Sequence, residues 1–175
     1  MDRLSSFFRT RNVLVTCIVI LSVFLRFWAA DNLQTDFDEP VYLGNAFDYA
    51  AMIRTGDWDS VIDYREVIEH PPLVKLLYSL PILTMGEQAD WSSALFISRM
   101  VSVVFGALAV LLLALIDPLA GGLLAVQTLV VKYTSQAYLE ALPLFAMILS
   151  VYALLRSKRA LDGWFWLSAA ALGLT

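Results

Sequence analysis

The sequence predicts an all-α, multi-pass membrane protein, and three observations carry that prediction. Apolar residues make up 59% of the 175-residue chain, with only 16% charged; the mean hydropathy is +0.70. A soluble domain is typically about 45–50% apolar and about a quarter charged. The apolar residues also fall in long blocks, the pattern of membrane spans rather than of one large core. Finally, the charge is segregated: twelve of the sixteen acidic residues lie between Asp31 and Asp90, opposed there only by Arg54, Arg65 and Lys75. Such an acidic surface is unsuited to nucleic acid, which requires clustered Lys and Arg. Cys17 is the single cysteine, so no disulfide forms within the chain.

The N-terminus carries Arg3, Arg9 and Arg11 ahead of the first apolar block, Val13–Ala30. At about 1.5 Å per residue this block is about long enough to cross a bilayer. A secretory signal peptide is the competing reading. Against it, Arg26, Phe27 and Trp28 stand where a small-residue cleavage site belongs, and Trp28 suits an interfacial anchor. Residues 31–91 then form a long outer loop. Within it Leu43, Ala46, Phe47, Ala50 and Ala51 recur at helical spacing, predicting a helix over Tyr42–Arg54 that Thr55-Gly56-Asp57 stops. Pro71-Pro72 opens a second short helix, Leu73–Leu83, which Pro81 interrupts. The first is expected to lie at the membrane interface, and the second, too short to span, at the interface or re-entrant. Ser92 and Ser93 are the expected caps of the next span, Ala94–Ile116, which Asp117-Pro118 ends. Further spans are read over 119–133, 139–155 and 164–175. Arg156, Lys158 and Arg159 follow the fourth, and the positive-inside rule places them with the N-terminus in the cytoplasm and the acidic loop outside. The last apolar block ends abruptly, so the chain reads as residues 1–175 of a longer membrane domain.

Three groups of residues can carry chemistry. Asp36-Phe37-Asp38-Glu39-Pro40-Val41-Tyr42 places adjacent carboxylates at the water–lipid boundary, where they can supply a general base or a metal contact. The alternative is a helix N-terminus that favours acidic residues through its dipole. Glu69-His70-Pro71-Pro72-Leu73-Val74-Lys75 holds the only histidine at a stiff corner. Glu69 and His70 there suit a divalent ion or a phosphate, and Lys75 a phosphate; a turn histidine and a solvated lysine are the alternatives. Glu140 opens the fourth span, facing either a cavity or open water. Arg26 and Arg99 lie in the outer halves of spans, either snorkelling to head groups or neutralising the loop carboxylates.

Taken in order, Arg26-Phe27, Asp38-Glu39 with Tyr42, His70-Pro71-Pro72-Leu73 with Lys75, Ser98-Arg99 and Glu140 resemble the GT-C glycosyltransferases, nearest in pattern to the protein O-mannosyltransferases and the lipid A aminoarabinose transferases. The resemblance covers nearly the whole chain, as the N-terminal part of such an enzyme. It implies transfer of a sugar from a polyprenyl-phosphate carrier to an acceptor outside the cytoplasm. Asp38 and Glu39 would lie at the catalytic centre. Tyr42, His70, Lys75, Arg26, Arg99 and Glu140 would contact substrate, and Glu69 with His70 would hold a divalent cation (Mg, Mn or Zn). Val41 stands where the aminoarabinose enzymes tend to carry arginine, and Gln136 follows Ser135 where arginine is common. Two readings from other classes remain: a transporter or flippase fragment, and a non-catalytic membrane subunit whose loop binds a partner.

Overall fold

In the computed structural model, residues 2–64, 72–86, 90–159 and 161–174 are described, with side chains from Thr10 onward. Every regular element among them is a helix. We number these α1 (Asp2–Asn32), α2 (Glu39–Thr55), α3 (Trp58–Asp63), α4 (Pro72–Met85), α5 (Trp91–Ile116), α6 (Pro118–Val126), α7 (Thr128–Tyr133), α8 (Ala141–Arg156) and α9 (Gly163–Leu172). Two stretches, Thr10–Asn32 of α1 and Trp91–Ile116 of α5, are long and apolar enough to cross a membrane. Helix α8 has 16 residues and α9 has 10, short of the roughly 20 that a perpendicular crossing needs.

Helix α5 is the central post. It packs against α1, α4, α6 and α8, while α2 lies on α4 and α9 on α8. Its buried face reads Ala94, Ser98, Ser102, Gly106, Val110 and Ala114, a residue every fourth position and mostly small. Small side chains at that spacing let neighbouring backbones approach closely. The closest approach is at Gly121 of α6, where an added Cβ would stand 2.5 Å from both Cα and Cβ of Ala114. Gly121→Ala is therefore expected to cost about 1–3 kcal/mol by overpacking and to lower the thermal midpoint. Gly122→Ala, which would meet nothing closer than 3.8 Å from Ile18, serves as the control and should be neutral or better. Equal midpoints for the two variants would disprove the tight α5–α6 contact.

Three arginines close three helix C-termini, each satisfying carbonyls that have no partner within their own helix. Arg11 Nη2 donates to Leu115 O of α5 at 2.6 Å. Arg54 Nη2 donates to Ile82 O at 2.7 Å and Gly86 O at 2.8 Å, at the end of α4. Arg99 does the same for α1, donating to Ala30 O at 2.7 Å and Leu33 O at 2.9 Å. In each case a cation also meets the negative end of the helix dipole.

Several expectations hold and several shift. Gly56 ends α2 with φ of 72°, a left-handed turn that favours glycine. Asp117 ends α5 and caps α6 by accepting from Leu119 N and Ala120 N. The expected span 119–133 is instead two helices, broken at Gln127, whose extended backbone and side-chain acceptor cap start α7. The cap of α5 is Asp90, which accepts from the Ser93 backbone N and the Ser92 hydroxyl, so the serines are donors to a stronger acceptor rather than caps themselves. Pro81 lies inside α4, which runs on to Met85. Neither Arg26 nor Arg99 snorkels: they are 0% and 4% exposed.

Candidate functional site

The buried centre of the site is the pair Glu39–Arg99. Glu39 is the first residue of α2 and is fully buried. Its Oε1 accepts from Arg99 Nε at 2.8 Å and Ala137 N at 2.8 Å. Its Oε2 accepts from Arg99 Nη2 at 2.6 Å and Asp36 N at 3.0 Å. Arg99 spends its remaining N–H groups on Ala30 O, Leu33 O and, at 3.3 Å, Gln34 O. All five guanidinium donors are thus used, and the carboxylate carries four donors on its two oxygens. A buried ion pair survives only when its remaining hydrogen-bonding capacity is satisfied in this way. The arrangement leaves Glu39 no free edge toward a ligand.

The same pair fixes the α7–α8 loop. Residues Thr134, Ser135, Gln136, Ala137 and Tyr138 are all buried, and each neighbouring element holds one of them. Glu39 takes the Ala137 N–H. Arg26 Nε donates to Thr134 Oγ1 at 2.9 Å, with its Nη1 on Ser22 Oγ at 2.7 Å. Gln136 Nε2 donates to Gln34 O at 3.2 Å. The Tyr78 hydroxyl donates to Tyr138 O and shares a 2.8 Å hydrogen bond with Ser102 Oγ. Gly106 makes room for this packing, since a Cβ there would stand 2.8 Å from Arg26 Nε and 2.7 Å from Thr134 Cβ.

Above this layer lies a partly open rim of Asp36, Asp38, Lys132 and Glu140 around two buried phenols, Tyr42 and Tyr138. Lys132 Nζ is 2.7 Å from Asp36 Oδ2 and 5.0 Å from the Tyr133 ring centroid. That ammonium, donating to Asp36, holds the Asp36 carboxyl below its ordinary range. The Tyr138 hydroxyl faces the Asp36 carboxylate and the Asp38 backbone N–H. Its ring contacts those of Tyr42 and Tyr133, with centroids 6.1 and 5.6 Å apart. Burial pushes Tyr42 up to about 12, and the charges of Asp38 and Glu140 add to the rise. Tyr138 is likewise pushed up to about 12, by burial first and then by Asp36.

These shifts have a definite sign for stability. A phenol whose folded pKa lies above its unfolded value of about 10 keeps its proton longer when folded. Stability is then intact below pH 10 and falls as pH rises from about 10 to 12. Tyrosinate absorbance should therefore lag in the folded protein relative to the denatured chain, and Tyr42→Phe and Tyr138→Phe should each remove part of the lag. Superimposable titrations of folded and denatured protein would refute this placement.

Of the residues expected from sequence, Arg99, Glu39, Asp38, Tyr42 and Glu140 gather at this end of the molecule. Arg26 lies beneath, holding Thr134. Lys75 is buried on the α4 face that also carries Tyr78. Burial lowers its affinity for a proton. Glu69 and His70 lie outside the described residues. Among the described residues no three His, Cys, Asp or Glu side chains come together as a cation site. Asp36 belongs to the acidic run read from the sequence, whereas Lys132 and Tyr138 carry no mark of a site there. The signal available was the small polar run Thr134-Ser135-Gln136 between two apolar stretches, because polar groups at such depth face protein rather than lipid. Comparison with protein-family models, with curated proteins and with solved structures finds no match to this chain.

Proposed function

We propose that the chain is a multi-pass membrane glycosyltransferase of the GT-C kind, or the N-terminal part of one, and that its rim faces the non-cytoplasmic side. The donor would be a sugar on a polyprenyl-phosphate carrier, and the acceptor a hydroxyl of a protein, lipid or glycan. One observation carries the reading. Asp38, half-buried on the open rim, adjoins the fully satisfied Glu39–Arg99 pair, at the end of the molecule where α1 stops and α5 begins. A base must be held in place yet remain reachable, and Asp38 meets both conditions where Glu39 meets only the first.

In this reading the acceptor oxygen attacks the anomeric carbon while its proton passes to Asp38. The bond from that carbon to the phosphate oxygen breaks, and polyprenyl phosphate departs with the electron pair. Lys75 and His70 are the proposed partners that offset the leaving phosphate. Glu39 and Arg99 hold the α1–α2 loop and do not touch substrate. Glu69 and His70 remain the proposed ligands of a divalent ion.

The test is transfer from a labelled polyprenyl-phosphate sugar to hydroxyl acceptors, using the full-length protein in proteoliposomes, with and without chelator. Time-dependent loss of label from the carrier, matched by its appearance on acceptor, is the expected result. An intact carrier after prolonged incubation with protein that has inserted into the bilayer would overturn the proposal. Full activity in excess chelator would remove Glu69 and His70 as metal ligands while leaving the transferase reading in place.

A further inference from the structure

A second surface feature lies on the flank of α1. Leu25, Trp28, Ala29 and Leu33 recur at helical spacing, and across from them stand Val126, Thr128, Val131 and Lys132 of α6–α7. Together they enclose a groove of about 230 Å³ whose walls are almost wholly apolar. Trp28 borders it and is 59% exposed, as befits an aromatic at a membrane interface. Lys132 stands at one end, in its ion pair with Asp36, and both side chains are reachable, 38% and 30% exposed.

We infer that this groove holds one acyl chain of a bilayer phospholipid with a zwitterionic, primary-amine head group, of the phosphatidylethanolamine type. The groove supplies the apolar trough, and the ion pair supplies the selectivity. A positive and a negative group stand side by side at 2.7 Å. A head group bearing only a phosphate must face the Asp36 carboxylate to reach Lys132. A phosphate followed by an ammonium instead sets an opposite charge against each partner. A primary ammonium brings three N–H donors to the carboxylate, whereas a trimethylammonium brings none and is read by aromatic faces instead. The inference rests on the reading that α1 and α5 cross a bilayer.

The test is lipid retention by the full chain. The protein is placed in nanodiscs of phosphatidylethanolamine, phosphatidylglycerol and phosphatidylcholine in equal parts with a trace of polyprenyl phosphate, then extracted gently, and retained lipids are measured by mass spectrometry. Phosphatidylethanolamine should be retained about tenfold over phosphatidylcholine, the size of one charge-assisted hydrogen bond. Asp36→Asn should abolish that preference and raise retention of phosphatidylglycerol. Lys132→Met should lower retention of every phospholipid. Thr128→Trp fills the groove from an exposed position one helical turn from Lys132, and should also release the lipid. Preferential retention of phosphatidylglycerol, phosphatidylcholine or polyprenyl phosphate by the wild type overturns the assignment. So does an unchanged preference in a folded Asp36→Asn protein. Failure of the wild type to insert into the nanodisc overturns the membrane reading as well, which separates the two.

Discussion

Asp38→Asn is expected to lower turnover by about 10²–10⁴-fold, the usual contribution of a positioned general base, with little change in KM. The amide keeps the size and shape of the carboxylate and loses its basicity, so binding should persist while proton removal fails. Asp38 is the carboxylate to choose because its neighbour is fully committed: Glu39 accepts four hydrogen bonds and is fully buried. The comparison variant is Asp36→Asn, which loosens the link to Lys132 and should lower turnover far less than Asp38→Asn does. Rates for both variants against donor concentration decide the matter. Normal kcat in Asp38→Asn, with the protein folded, would remove Asp38 as the base.

Arg99→Met and Glu39→Gln are expected to be the most destabilising single changes, at about 3–5 kcal/mol each, because each strands a buried partner of opposite charge. Arg99→Met also releases the Ala30, Leu33 and Gln34 carbonyls that the guanidinium now satisfies. The double variant should cost less than the sum, since with both charges gone nothing charged is left stranded. Thermal unfolding followed by size-exclusion of detergent-solubilised protein reads all three. A single variant with a wild-type midpoint would mean that water reaches the pair, contrary to its burial. These two sets of experiments also separate roles: loss of turnover with stability intact belongs to Asp38, and loss of both to the Glu39–Arg99 pair.

Much of the helical outline is legible in the sequence, because helix ends are set by local chemistry. Gly56 supplies a left-handed turn, and Asp117-Pro118 supplies a cap followed by a residue with no N–H to lose. Where two local signals compete, the reading fails. Ser92 and Ser93 look like caps, but Asp90 just upstream is the better acceptor and takes both. Leu119–Tyr133 reads as one apolar run, and only the Gln127 side chain, accepting from Val130 N at 2.7 Å, marks the break. The site is legible as a set of residues but not as a set of contacts. Glu39 and Arg99 each stand out as charges at the ends of apolar blocks, and their separation of 60 positions hides the pairing. Lys132 and Asp36 are further apart still, and Lys132 belongs to no motif that would point to the acidic run holding Asp36. The adjoining α7–α8 loop shows in the sequence only as the short polar run Thr134-Ser135-Gln136, and its residues are buried because other elements close over them.

The bond from Ala137 N to Glu39 joins residues 98 positions apart, and this has a consequence for biogenesis. Glu39 leaves the ribosome long before the backbone amide that completes its shell. At about 5–20 residues per second, the gap is roughly 5–20 seconds. Through that interval burial of the ionised carboxylate is disfavoured, since its donors are missing. The α1–α2 junction is then expected to close late, becoming the dry floor of the rim once α5 and the α7–α8 loop supply the donors for Glu39.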